Sequence, residues 1–150
     1  MRSKSIKPLI LLAFLLISFG QESFAELELD NAWVRSAPPN SKIFSGYLNF
    51  KNISSDKILI KSIKSNAFEK VEIHTSLIED GISSMRRVET LEITENSEVK
   101  LKPGGYHLML MNPKKAIKEK NLVELIIYYE TKERIKILRS DAMVLRDGYE

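Results

Sequence analysis

An all-β fold, a sandwich or barrel of about nine short strands, is predicted for this chain. Three observations predict it. Apolar and polar residues alternate with a period of two in several short runs. Turn-forming residues interrupt these runs at intervals of about ten residues. After residue 25, no segment shows a long stretch of the 3.6-residue periodicity that is typical of a helix.

The strands follow one another with short connections. They are predicted at residues 31–36, 45–52, 57–65, 70–78, 82–93, 97–102, 106–111, 122–130 and 134–140, and segment 142–146 is a candidate for a last strand. Asp80-Gly81 is a strong hairpin signal between the fourth and fifth strands. The turn 103–105, Pro-Gly-Gly, leads into the seventh.

The first 25 residues are predicted to be a signal peptide. Arg2, Lys4 and Lys7 form a basic start, and an apolar run at 9–19 is too short for an ordinary membrane span. Small residues in the segment 23–25 place a cleavage site after Ala25. The expected mature domain is 26–150, with a frayed tail from about residue 146, export to the periplasm and no membrane insertion. An uncleaved N-terminal anchor is the alternative.

Charge and cysteine content exclude several classes of function. The net charge of +3 falls to about +1 without residues 1–25, which hold three basic residues and one acidic residue. Nucleic-acid binding is therefore not expected. The absence of cysteine rules out thiolate metal sites, including blue copper, and cysteine nucleophiles within these residues. The chain also lacks recognisable catalytic motifs, so we do not expect an enzyme.

Four side chains form a candidate metal site. The chain has two histidines, His74 and His107, and both lie in predicted strands. Met109 shares a strand face with His107 by the period of two, and Met85 lies across the Asp80-Gly81 turn from His74.

These residue types favour Cu(I). Thioethers are soft, neutral ligands that suit Cu(I) and bind Mg²⁺, Ca²⁺ and Zn²⁺ poorly, and imidazole is compatible with copper. Each residue is also compatible with a structural role, because methionine commonly fills gaps in cores. The residue types alone therefore leave both a metal site and a non-metal β-sandwich module open.

The spacing resembles a known family. His74, ten residues, Met85, twenty-one residues, His107-x-Met109 matches the H-x10-M-x21-H-x-M signature of the periplasmic copper chaperones called PCu(A)C. The segments 32–52, 71–89 and 101–121 also look like the family's opening strands, first ligand hairpin and second ligand strand. The resemblance covers nearly all of residues 27–140.

The resemblance implies a cupredoxin-like Greek-key β-barrel that binds one Cu(I) through His74, Met85, His107 and Met109. Met111 would then be a core residue one pleat further along. It implies delivery of copper to the CuA centre of cytochrome c oxidase subunit II, beside a Sco-type thiol protein in some cases. A copper buffering or resistance protein is the alternative with the same ligands. The chain departs from the family in having Thr75 directly after the first histidine and in lacking a His/Met-rich C-terminal extension.

Overall fold

The computed structural model describes residues 26–132 and 134–149, and ten β-strands make up most of this part of the chain. They are β1 (Leu27–Arg35), β2 (Ile43–Asn52), β3 (Ile58–Lys64), β4 (Phe68–Glu79), β5 (Ile82–Val88), β6 (Leu91–Ile93), β7 (Glu98–Leu101), β8 (Tyr106–Pro113), β9 (Leu122–Thr131) and β10 (Arg134–Leu145). The described residues include no helix of sufficient length and hydropathy to cross a membrane. The predicted signal peptide lies outside them.

Seven of the strands close into a barrel. The pairing order is β4-β8-β2-β1-β10-β9-β3, and a pairing between β3 and β4 joins the ends. Strands far apart in sequence are neighbours, such as β8 between β2 and β4, and β10 runs parallel to β1. The predicted all-β, cupredoxin-like architecture is confirmed by this barrel. The strands β5, β6 and β7 extend it outside the closed ring.

Most predicted strands are present, with two differences at their junctions. The single strand predicted at 82–93 is two, because β5 pairs with β4 whereas β6 pairs with β3. The segments 134–140 and 142–146 form one strand, β10, which pairs continuously with β9 from Arg134 to Met143. Local alternation of residue types does not reveal which partner a strand will choose.

Residues 148 and 149 contact β1, in the segment for which the sequence predicts a frayed tail. Gly148 lies so close to Trp33 that a Cβ atom on it would be 2.8 Å from the ring. The Tyr149 hydroxyl donates a hydrogen bond of 3.3 Å to the carbonyl oxygen of Ala32. These contacts hold residues 148 and 149 against the barrel.

The two faces of β8 separate the core from the candidate site. Leu108 and Leu110 are fully buried inside the barrel, so His107, Met109 and Met111 lie on the outer face. Met111 is half-buried there, and the prediction that it is a core residue is wrong. Because side chains alternate between the two faces of a strand, the leucines of β8 lie inside the barrel and both of its methionines lie outside.

The hairpin of β4 and β5 turns at the predicted place. Asp80 and Gly81 both have positive φ angles, 52° and 78°, which a two-residue turn between twisted strands requires. The turn sets the register in which Ser76 faces Met85 and His74 faces Arg87. It therefore places Met85 on the same outer face as His74.

Candidate metal centre

The candidate site lies on the outer face of three neighbouring strands, β5, β4 and β8. His74 and His107 are directly opposite each other in the β4–β8 pair. Their ring centroids are 6.1 Å apart, with the ring planes tilted by 38°. Two residues that are 33 positions apart in sequence are therefore adjacent in the fold.

His107 is oriented by the turn before it. Its Nδ1 atom is 3.1 Å from the carbonyl oxygen of Gly105. A carbonyl can only accept, so Nδ1 carries the hydrogen and the lone pair of the ring is on Nε2. The same carbonyl also accepts the backbone N–H of Ser76, 3.3 Å away, which ties the turn to β4. The Pro-Gly-Gly turn thus holds the imidazole of His107 in place.

His74 is oriented by Glu72, which precedes it by two residues on the same face. The Nε2 atom of His74 is 2.9 Å from Oε2 of Glu72. Its Nδ1 atom is buried and has no hydrogen-bond partner among the described residues. A buried nitrogen without a partner is unusual, and a lone pair in this position is available to a metal. Each histidine therefore has one ring nitrogen hydrogen-bonded to an oxygen atom of the protein, as is usual for histidines that bind metals.

The carboxylate of Glu72 contacts three side chains. Besides His74, its carboxylate lies 2.6 Å from the ammonium of Lys70 and 3.2 Å from the guanidinium of Arg87. The bonds from Lys70 and then from His74 lower the pKa of Glu72 from 4.5 to about 2, and partial burial opposes them. The carboxylate is therefore ionised at neutral pH and can only accept.

The two methionines flank the histidine pair on opposite sides. Met109 faces Glu72 across the β4–β8 pair, and Met85 faces Ser76 across the β4–β5 pair. Each is thus a diagonal neighbour of His74, at about 7–8 Å between backbone positions. Met109 is half-buried, whereas 59% of Met85 is exposed at the outer strand. The fold brings the histidines and Met109 together, and it places Met85 at the solvent-exposed edge of the same surface.

The donor set fits a soft, monovalent metal. Two neutral imidazoles and two thioethers match the preferences of Cu(I). Among the described residues, no group of three or more His, Cys, Asp or Glu side chains is arranged to hold a metal ion. Both oxygens of Glu72, the nearest carboxylate, are engaged by His74, Lys70 and Arg87. Sequence reasoning missed Glu72, although its position two residues before His74 already placed it on the same strand face.

The fold and the candidate site define a class of protein. Its members are all-β barrels with histidine and methionine side chains grouped on the outer face, and the described residues of this chain include no carboxylate cluster that could hold a metal. Within that class, the chain belongs to the LpqE-like family, described as "Putative lipoprotein LpqE-like", whose model matches residues 27–138. The resemblance inferred from the motif spacing is confirmed by this match and by the fold of the solved structures below.

One curated relative and two solved structures illustrate the similarity. The putative lipoprotein Lxx21020 of Leifsonia xyli subsp. xyli (strain CTCB07) is 27% identical over 89 residues, which are 59% of this chain. The match covers 52% of that relative, so the chain matches only about half of its length.

The solved structures share the barrel at low sequence identity. The copper-bound PCuAC domain from PmoF2 has a TM-score of 0.66 at 19% identity, and the match covers 80% of this chain and 92% of that domain. The Cu(I)-bound protein DR1885 from Deinococcus radiodurans has a TM-score of 0.65 at 21% identity, covering 86% of this chain and 84% of the other. These values establish a common fold.

Proposed function

We propose that this chain binds one Cu(I) ion through His74, Met85, His107 and Met109 and passes it to another protein. The observation that carries the proposal is the pair of facing imidazoles, each with one nitrogen hydrogen-bonded and the other free to bind. Met109 lies beside this pair on the same face. The copper-bound PmoF2 domain and the Cu(I)-bound DR1885, which share the fold, support the choice of metal.

The exposure of one proposed ligand, Met85, favours transfer over permanent storage. Met85 is largely exposed on β5, which in the described chain pairs with β4 alone. A set of neutral ligands with one member at an exposed edge releases a metal more readily than thiolates in a closed site. The chain acts in this proposal as a binding and transfer protein, without catalysis of its own.

The proposed receiver is the CuA centre of cytochrome c oxidase subunit II, with a Sco-type thiol protein as a further partner. The proposed location is the periplasm, reached through the N-terminal segment 1–25. The lipoprotein descriptions of the family and of the relative from Leifsonia xyli support export.

An anaerobic Cu(I) titration of residues 26–150 against a chromophoric chelator tests the binding. We expect one tightly bound equivalent, weakened at least tenfold by His74→Ala, His107→Ala or Met109→Leu. Met111→Leu is the matched control, because Met111 lies on the same face of β8 but two residues further from the histidines. It should leave the affinity unchanged.

Two outcomes would contradict the proposal. Failure to compete with the chelator, or equal affinity in all variants, would favour the non-metal β-sandwich module. Tight binding without transfer to a purified CuA domain would instead favour a copper buffering or resistance protein, since the ligands would be the same.

A further inference from the structure

The Glu72 carboxylate lies beside the candidate metal centre and outside the four proposed ligands. Its side chain is only 10% exposed, although it is on the outer face of the barrel. A carboxylate this shielded from water requires partners. It has three: the ammonium of Lys70, the guanidinium of Arg87 and the imidazole of His74.

These contacts divide between the two carboxylate oxygens. Lys70 and Arg87 both contact Oε1, whereas Oε2 contacts Nε2 of His74. The two cations therefore hold the carboxylate in one orientation, and the second oxygen is directed at the imidazole. Both oxygens of Glu72 are therefore engaged by protein side chains.

The bond to Glu72 determines which nitrogen of His74 can bind a metal. A carboxylate accepts, so Nε2 of His74 carries the hydrogen and Nδ1 carries the lone pair. The opposite arrangement holds for His107, in which Nδ1 donates to Gly105 and Nε2 is free. The two neighbouring rings thus have different nitrogens without a hydrogen-bond partner in the described part of the chain.

We propose that Glu72 is a positioning residue that commits His74 to bind Cu(I) through Nδ1, while His107 binds through Nε2. This inference rests on the proposed function, because it assigns the ligand atoms of the same site. Hydrogen-bond partners of this kind fix the tautomer and the ring orientation of histidine ligands, and their loss commonly weakens metal binding about 10–100-fold.

Two substitutions of Glu72 separate its roles. Glu72→Leu removes the hydrogen-bond acceptor, so the ring of His74 is free to rotate and to bind through either nitrogen. Glu72→Gln removes the charge but keeps an oxygen that can accept from Nε2. We expect Glu72→Leu to weaken Cu(I) binding by about tenfold or more. We expect Glu72→Gln to retain most of the affinity.

Glu89→Gln is the matched control. Glu89 contacts Arg87 at 3.1 Å and belongs to the same charge cluster, but it is exposed and does not contact either histidine. A general electrostatic effect of removing one negative charge would appear in this variant as well. A positioning effect would leave it with wild-type affinity.

Nitrogen-15 NMR of the histidine rings reads the tautomers directly. In the metal-free wild type, we expect the ring hydrogen on Nε2 of His74 and on Nδ1 of His107. The His74 signal should change in Glu72→Leu but not in Glu72→Gln. Cu(I) is diamagnetic, so the loaded protein can be measured in the same way. We expect the metal on Nδ1 of His74 and on Nε2 of His107.

The outcomes distinguish this inference from the proposed function. Tight Cu(I) binding with the metal on Nε2 of His74, or with unchanged affinity in a folded Glu72→Leu variant, would overturn the positioning role alone. A wild-type protein that shows the expected tautomers but binds no Cu(I) would overturn the proposed function, and this inference with it.

Discussion

His74 and His107 are the same residue type on neighbouring strands, but their surroundings leave different ring nitrogens without a hydrogen-bond partner among the described residues. A backbone carbonyl orients His107, and a side-chain carboxylate orients His74. The orientation of the His107 ring depends on the turn that precedes it. The turn at 103–105 supplies the carbonyl of Gly105, which contacts both the ring of His107 and the backbone of β4.

Copper affinity should depend on pH because both imidazoles must be neutral to bind. We expect Cu(I) binding to weaken as the pH falls, because protons compete with the metal for the imidazole nitrogens. The thioethers do not titrate, so any affinity that remains at acidic pH belongs to the methionines. The measurement is the chelator competition repeated from pH 8 to pH 4 with the protein confirmed as folded. An affinity that stays constant over this range would argue against histidine ligands.

The strand β8 combines two functions on its two faces. Leu108 and Leu110 fill the barrel, and His107 and Met109 form part of the candidate site on the other side. The neighbouring strand β2 accommodates the leucines by means of Gly46, which pairs with Leu108. A Cβ atom at this glycine would be 2.9 Å from the Cδ1 of Leu110 and 3.2 Å from the Cβ of Leu108.

Gly46→Ala should therefore destabilise the barrel. The added methyl group has to displace buried leucine atoms, and overpacking of this kind costs about 1–3 kcal/mol in the free energy of unfolding. Urea denaturation followed by the fluorescence of Trp33 would measure it.

Ser45→Ala is the control, because Ser45 is the adjacent residue of β2 but faces outward beside Met109. Its effect should stay within about 0.5 kcal/mol. A Gly46→Ala variant as stable as the wild type would show that the leucines repack without cost.

At the scale of the whole molecule, the barrel is closed without disulfides and brings distant segments into one surface. The chain contains no cysteine, so non-covalent packing must stabilise the fold. The core draws buried side chains from most of the strands. Ion pairs on the outer face add to the stability that this core provides. Among them, the group around Glu72 is the most shielded from solvent.

Acid should remove the contribution of Glu72 to global stability. Its pKa is lowered in the folded protein from 4.5 to about 2, so its stabilisation is present above pH 4.5 and is lost as the pH falls toward 2. A shift of this size corresponds to roughly 3 kcal/mol. Lys70 and Arg87 are more than a third exposed, so we expect only about 1–2 kcal/mol after solvent screening.

Glu72→Gln isolates this effect. The difference in the free energy of unfolding between the wild type and this variant should be constant above about pH 5 and shrink at lower pH. Chemical denaturation at several pH values measures it. A difference that does not change with pH would mean that the ion pairs of Glu72 contribute nothing to stability.

Much of the fold and of the proposed ligand set follows from residue types and spacing. Alternation identified most of the strands, Asp80-Gly81 identified the hairpin turn, and the spacing of His74, Met85, His107 and Met109 singled out the candidate ligands. These are local properties of the chain. The pairing of β5 with β4 and of β6 with β3 is not local, and only the closed barrel decided it.

The tertiary structure also decided the surroundings of each proposed ligand. It placed Met111 on the outer face, Met85 at an exposed edge and Glu72 against His74. The physical reason is that a strand's sequence specifies which residues share a face, whereas the register with its neighbours specifies what each side chain meets. The free nitrogen of each histidine depends on those neighbours, so it could be assigned only once β4, β5 and β8 were aligned.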